Sequence, residues 1–243
     1  MAVAHFFIVR RIDPMAIQKS NKHTNRLVKN LHDVDRLRDI HGHITSKGPG
    51  RKHDVEVLHK SAIVLLAACW EAFIEDMIEA TLEWMIQHAK DPKVFASVVL
   101  DRVASTHQGG KIWQLAGDGW KQVLRDNLKE VYARTTATLN TPRSEQVDAL
   151  FEKTIGLKNL SRNWHWKGRS AEQARKSLDD LITLRGSVAH RVSGSRHVRL
   201  KDVSDSRDFV CRLAAKSHNA VCVHVHRSFR QTPWTMIKFG QTR

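Results

Sequence analysis

The longest hydrophobic pattern in the chain runs from Asp54 to His88. Within it, the thirteen residues from Ala62 to Ile74 contain a single charged side chain, Glu71. A helix that is apolar all round is typically buried on several sides in a protein core. Beyond Ile74 the pattern becomes amphipathic, with acidic and apolar residues at helical spacing. The sequence therefore predicts a central helix that carries one isolated carboxylate.

A second helical pattern begins after Ser170, a residue type that caps helices, and breaks at Gly194. Its apolar stripe comprises Leu181, Leu184, Val188 and Val192. On a regular helix Arg185 lies at the edge of this stripe, and His190 lies roughly opposite it. The arginine can therefore reach a buried partner, while the histidine faces away from the core of its own chain.

The other patterned segments are also helical. They cover about 14–40, 92–103, 120–139, 142–150 and 201–229. Glycine-containing segments at 41–51 and 105–119 are predicted to connect them. The one alternating run, VCVHVH at 221–226, is too isolated to build a sheet. The predicted class is all-α, one bundle elaborated between residues 91 and 168.

The charge is strongly positive and unevenly distributed. The formal net charge is +15, and the sequence pI is about 10.1. Residues 61–100 carry two basic and six acidic residues, whereas residues 156–243 carry 18 basic and six acidic ones. Such a balance favours polyanionic partners such as nucleic acid, although a solubilising surface has the same composition.

Compartment and cofactor signals are sparse. Cys69, Cys211 and Cys222 form no C-x-x-C pair, and Cys69 sits in the apolar helical run, which indicates reduced thiols. With no recognisable signal peptide or uninterrupted membrane span, a soluble cytoplasmic protein without a membrane partner is expected. Neither an H-E-x-x-H motif, a cysteine quartet nor a Walker loop occurs, so no metal and no cofactor are predicted.

Glu71 and Arg185 are a natural pair. A carboxylate in an apolar helix is costly to bury unless it is paired, and a guanidinium is a bidentate partner. We predict a carboxylate-to-guanidinium distance within hydrogen-bond range, about 2.7–3.2 Å. The pair would hold Arg185 in a defined pose, as a phosphate-binding arginine requires, or would be a purely structural ion pair.

The residues R-G-S-V-A-H at 185–190 resemble the R-x4-6-H signature of the HEPN superfamily. The upstream run C-W-E-A-F-I-E-D-M-I at 69–78 is similar to the glutamate-bearing helix of the RiboL-PSP-type branch, and the resemblance extends to residues 202–214. It implies a single HEPN-like domain over residues 1–243. The core of that domain would be about 55–90 and 170–230, with a helical insertion at about 91–168.

The resemblance also implies a function. HEPN ribonucleases of this kind are all-α homodimers in which two R-x4-H motifs meet in one cleft and cut RNA without metal. Carried over by position, Arg185, His190 and Glu71 are the catalytic candidates. The residue after the arginine is commonly Asn or another polar residue, but here it is Gly186, and Ser187 is the candidate to supply the missing hydrogen bond.

The expected activity is that of an endoribonuclease, a toxin or phage-defence effector that an antitoxin or inhibitor protein holds in check. RNA supplies its own 2′-OH nucleophile, so the protein needs a histidine to move protons and an arginine to stabilise the phosphate. A non-catalytic HEPN-like module that binds RNA or protein is the alternative, and Gly186 favours it. A basic helical DNA-binding regulator is a third possibility, although no compact helix-turn-helix spacing occurs.

Overall fold

The chain folds as an all-α bundle, as predicted. The computed structural model describes residues 21–45, 55–136, 142–190 and 197–238, and for 128 and 131–136 it describes the backbone only. The α-helices of these residues are α1 (Lys22–Ile44), α2 (Glu56–His88), α3 (Ser97–Thr106), α4 (Gly119–Thr136), α5 (Ser144–Ile155), α6 (Ala171–His190) and α7 (Leu200–Phe229). Short 3-10 helices occur at Pro92–Val94, Gly109–Leu115 and Leu160–Asn163.

Helix α2 is the central element of the bundle. It packs against α1, α4, α5, α6 and α7, which explains why its sequence is apolar on so many sides. Among the described residues it is the one helix long and apolar enough to cross a membrane, yet half of its most apolar window is buried inside the protein. The core helix of a globular bundle has this same character.

The middle of the chain contributes to the same core. Leu150, Phe151 and Trp164 are at most 1% exposed. The indole N–H of Trp164 donates to the hydroxyl of Ser217 on α7 at 2.8 Å. The region predicted as an insertion is therefore packed into the bundle. It supplies part of the core against which α6 and α7 pack.

The alternating run at 221–226 is helical and lies inside α7. Val221, Cys222 and Val225 are buried, whereas His226 is exposed. His224 is half-buried, and its Nε2 lies 2.9 Å from the carbonyl oxygen of Ile155. The buried residues of the run, Val221, Cys222 and Val225, lie on one face of a helix. The run therefore adopts the helical conformation of the turns of α7 on either side of it.

Helix α1 is joined to α7 by a buried ion pair that the sequence did not suggest. Arg207 is 7% exposed, and its Nη2 donates to Asp35 Oδ2 at 2.7 Å. This contact, together with the packing of Leu27, Leu31 and Val34, makes α1 part of the core. The predicted helix at 14–40 starts at Lys22 and ends at Ile44, and residues 1–20 lie outside the described ranges.

Helix α6 starts as its sequence predicts. Ser170 Oγ accepts from the backbone N–H of Gln173 at 3.2 Å, and Gln173 Oε1 accepts from the N–H of Ser170 at 2.9 Å. This reciprocal capping satisfies two backbone donors at the helix start. The helix is described through His190, and the predicted break at Gly194 lies outside the described residues.

Candidate active site

Arg185 lies on the face of α6 that packs into the bundle. The buried residues of this helix are Ala174, Leu178, Leu181, Ile182 and Val188. At about 100° per residue, their directions average to within about 10° of Arg185. The predicted edge position is therefore wrong. Ile182 belongs to the buried face while Leu184 is only half-buried, and this shifts the centre of the stripe onto the half-buried arginine.

Glu71 on α2 and Arg185 on α6 interact electrostatically. Burial raises the pKa of the Glu71 carboxyl above its usual range, and the positive charge of Arg185 opposes part of that rise. No hydrogen bond or ion pair within 4.0 Å joins the two side chains. The predicted hydrogen-bond-range contact is therefore wrong. Both side chains are half-buried, so each keeps access to water and does not need a direct partner.

His190 is the last residue of α6 and is exposed. It lies about 140° around the helix from Arg185 and about 7.5 Å farther along its axis. The histidine thus faces away from the core of its own chain, as the spacing predicts. Since Arg185 and His190 leave the helix in different directions, one copy of the motif does not place both side chains around one phosphate.

The two residues after Arg185 shape the surface between the candidates. The hydroxyl of Ser187 donates to the carbonyl oxygen of Leu184 at 2.8 Å, which leaves its lone pairs available to accept. Gly186 is half-buried, and a Cβ built on it would meet no atom within 4 Å. The glycine therefore leaves open space on this flank of α6, and a polar side chain would fit there.

A segment that the sequence did not single out completes the surroundings of α6. The indole N–H of Trp70, next to Glu71, donates to the carbonyl oxygen of Pro142 at 3.4 Å. Arg143 then donates to Thr183 Oγ1 at 2.9 Å and to the Asp179 carbonyl oxygen at 3.3 Å. The proline marked a helix start, but no local signal identifies partners 36 and 40 residues away.

Helix α2 keeps one open face, which Glu71 borders. Val57 is 63% and Leu65 is 38% exposed. Ser61 and Ala68 are exposed on the same side of the helix, and Ala72 is half-buried. These residues recur at helical spacing, so they form a continuous stripe of apolar and small side chains over about four turns. We call this stripe the α2 open face.

Among the described residues, no group of three or more histidine, cysteine or acidic side chains is arranged to hold a metal ion. The three cysteines are free and buried. Burial raises the pKa of Cys211 to about 11 and that of Cys222 to about 12, so both are protonated thiols at neutral pH. The catalytic candidates at the motif are therefore Arg185, His190 and Glu71, an arginine, a histidine and a carboxylate.

Comparison with known proteins gives one match. The family model RiboL-PSP-HEPN matches residues 22–223, which include α2, α6 and most of α7. No curated protein and no solved structure matches the chain.

Proposed function

This chain belongs to the RiboL-PSP-HEPN family, and we propose that it is a metal-independent endoribonuclease that acts as a homodimer. The observation that carries the proposal is the arrangement of the R-x4-H motif on α6. Arg185 is held on the inner face beside the carboxylate of Glu71, and His190 is presented to solvent at the helix end.

These residue types suit RNA cleavage by internal transfer. The 2′ oxygen attacks the phosphorus as its proton passes to a base, the bond from phosphorus to the 5′ oxygen breaks, and an acid protonates that oxygen. Histidine can serve as either base or acid near neutral pH. Arg185 supplies a permanent charge and paired donors to the phosphate oxygens as negative charge accumulates on them.

The α2 open face supports a homodimer. An exposed apolar stripe on a central helix indicates an interaction surface. In a two-fold dimer the same surface meets its own copy, and identical residues near the axis lie opposite each other. Because Glu71 borders the stripe and interacts with Arg185, pairing through this face would bring the two motifs toward one another. Two histidines would then supply both the base and the acid.

A non-catalytic HEPN-like module that binds RNA or protein is the second candidate. Gly186 favours it, because the family commonly has a polar side chain at that position and this chain has none. The proposed biological role, a cytoplasmic toxin or phage-defence effector restrained by an antitoxin or inhibitor protein, rests on the family resemblance. The net charge of +15 supports RNA as the substrate in either case.

The direct test is cleavage of single-stranded RNA by purified protein in EDTA, with Arg185→Ala and His190→Ala beside the wild type. We expect each variant to lose about 10²–10⁴-fold in rate. His226→Ala, which removes another exposed histidine near a helix end, is the matched control and should cleave normally.

Circular dichroism should show that all three variants keep the helical fold, since His190 and His226 are exposed and Arg185 is half-buried without an ion pair among the described residues. Undiminished cleavage by folded Arg185→Ala and His190→Ala proteins would overturn the site. Loss of cleavage in EDTA with recovery in magnesium would overturn the metal-independent mechanism. RNA binding without any cleavage would favour the non-catalytic module.

A further inference from the structure

Arg143 contacts α6 at two residues that precede the R-x4-H motif in the sequence. Its two recorded contacts on that helix, Thr183 Oγ1 and the Asp179 carbonyl, are neutral oxygen atoms. A guanidinium has five N–H donors, so donors remain after these contacts are made. Among the described residues, no carboxylate lies within 4.0 Å of its nitrogen atoms. The side chain is therefore anchored, yet its charge has no ion-pair partner there.

The side chain of Asp179, whose carbonyl Arg143 contacts, has other partners. Asp179 Oδ1 accepts from the backbone N–H of Ser144 at 2.9 Å, and Oδ2 accepts from the Ser144 hydroxyl at 3.1 Å. Ser144 is buried, so this contact holds the start of α5 firmly on α6. The carboxylate thus fixes the position of the neighbouring arginine, while part of its own charge is taken up by the two donors.

Arg143 and His190 lie along one flank of α6. Thr183, which holds Arg143, is within about 20° of His190 around the helix and about 10.5 Å from it along the axis. Gly186 lies between them, within about 60° of Thr183, and leaves open space. About three stacked nucleotides span this length at about 3.4 Å per phosphate. We call this surface the Arg143–His190 flank.

Asp179 lies on the Arg143–His190 flank and is bound to Ser144, whereas three other acidic side chains line a cavity beside it. A shallow cavity of about 210 Å³ between α6 and α7 is lined by Asp180, Asp202 and Asp205. Asp180 is about 60° from Thr183, away from Gly186, and the remaining α6 residues of the cavity lie farther round. An RNA strand along the Arg143–His190 flank would therefore pass Arg143 and leave the carboxylates of the cavity to one side.

We propose that Arg143 binds a phosphate of the RNA strand two to three nucleotides from the scissile phosphate, so that the strand lies along the Arg143–His190 flank. This inference rests on the proposed ribonuclease function. Arg143 is a positioning residue, since it lies away from the reacting atoms. Substrates too short to reach it should gain nothing from its charge.

The test is binding of a 12-nucleotide 2′-O-methyl oligouridine, which lacks the attacking hydroxyl, measured by fluorescence anisotropy over a range of salt concentrations. Arg143→Ala should raise Kd about tenfold at low salt. It should also reduce the slope of log Kd against log salt by about 0.7, the value for one single-strand phosphate contact. Arg143→Lys keeps the charge and should restore most of the slope.

Arg36→Ala removes an exposed arginine from α1 and is the matched control. Equal Kd and slope for the Arg143→Ala and Arg36→Ala proteins, with RNA cleavage intact in the wild type, would overturn this inference alone. A wild-type protein that neither binds the oligonucleotide nor cleaves RNA would overturn the proposed function with it. If Arg143→Ala does not fold, Arg143→Gln, which keeps a hydrogen-bond donor toward Thr183, takes its place. The same decrease in the slope of log Kd against log salt is expected, and an unchanged slope would overturn the inference.

Discussion

Glu71 and Arg185 lie near each other on two packed helices without a direct contact, and the charge of the arginine offsets only part of the effect of burial on the carboxyl pKa. This relationship differs from a buried salt bridge, in which loss of one partner typically costs about 3–5 kcal/mol. Burial disfavours the charged form of the Glu71 carboxyl and raises its pKa, and no ion pair within 4.0 Å compensates among the described residues. A group of this kind is more often functional than stabilising.

Glu71→Gln should therefore not destabilise the protein at neutral pH. A raised pKa in the folded state stabilises the fold at pH below the unfolded value of about 4.5, and this contribution is lost as pH rises through the folded pKa. The neutral amide removes that pH dependence. Chemical denaturation at several pH values should show a variant at least as stable as wild type at pH 7, with the difference shrinking toward pH 4.

Cleavage by the Glu71→Gln protein should fall, because Arg185 loses the nearby negative charge with which it interacts. Unchanged RNA cleavage at pH 7 would contradict a role for Glu71 in the site. A large loss of stability at neutral pH would contradict the reading of Glu71 as an unpaired carboxylate.

The α2 open face predicts how the oligomer can be broken. Leu65→Arg places a charge in the apolar stripe, so the protein should become monomeric at micromolar concentration and lose cleavage with it. Val223→Arg, at an exposed position of similar accessibility on α7, is the matched control. Light scattering on both variants measures the mass. A Leu65→Arg protein that stays dimeric, or a monomer that still cleaves RNA, would contradict the composite site.

The Asp35–Arg207 pair predicts a large effect on stability. Asp35→Ala removes the hydrogen-bonded carboxylate of a guanidinium that is 7% exposed and leaves, among the described residues, only the carboxylate of Asp208 at 3.8 Å, so the free energy of unfolding should fall by about 1.5–3 kcal/mol. Asp180→Ala breaks an exposed pair with Lys176 on α6 and should change the unfolding free energy by less than about 0.5 kcal/mol. Urea denaturation measures the unfolding free energy of both variants. Equal losses for Asp35→Ala and Asp180→Ala would show that burial does not determine how much an ion pair stabilises the fold.

Two buried histidines, His23 and His218, predict that the fold loses stability in acid. The Thr235 carbonyl accepts from His218 Nε2–H at 3.0 Å, which leaves His218 Nδ1 to accept from His23 Nε2–H, also at 3.0 Å. Burial lowers the pKa of His23 to about 3, helped by His218, and lowers that of His218 to about 4. Both rings are therefore neutral in the folded protein at physiological pH.

Each unfolded histidine binds a proton below pH about 6.5, whereas the folded ones stay neutral until pH about 4 or 3. The stability they give is complete above pH 6.5 and is lost as pH falls through this window. His218→Gln should flatten the pH dependence of the unfolding free energy there, and His32→Gln, at an exposed position on α1, should not. Parallel pH profiles for the two variants would contradict the buried pair.

Gly186 predicts a gain on substitution. Because a Cβ meets no neighbour there, Gly186→Ala should raise the unfolding free energy by about 0.5–1 kcal/mol through helix propensity alone. Gly186→Asn restores the polar side chain common in the family and should raise the cleavage rate if its absence weakens this enzyme. A lower rate in the asparagine protein would show that the open space itself serves the substrate.

Periodicity alone was enough for the all-α class, the central helix, the capped start of α6 and the last helix, predicted at about 201–229 and found at Leu200–Phe229. These features depend on contacts within a few turns, so the spacing of apolar residues and one capping serine specify them. The R-x4-H spacing likewise determined that Arg185 and His190 leave α6 in different directions. The alternating run at 221–226 was correctly not predicted as a strand, and it is helical because six residues cannot outweigh the turns of α7 on either side.

Tertiary packing decided which charged residues meet. The sequence singled out Glu71 and Arg185 as the buried pair, but the buried ion pair joins Asp35 to Arg207 across 172 residues. Arg143 reached α6 through Thr183, 40 residues away, with no local pattern to mark it. Side-chain pairing across the bundle depends on how the helices cross and on how much water each charged group still contacts. Neither is encoded in the period of a single helix.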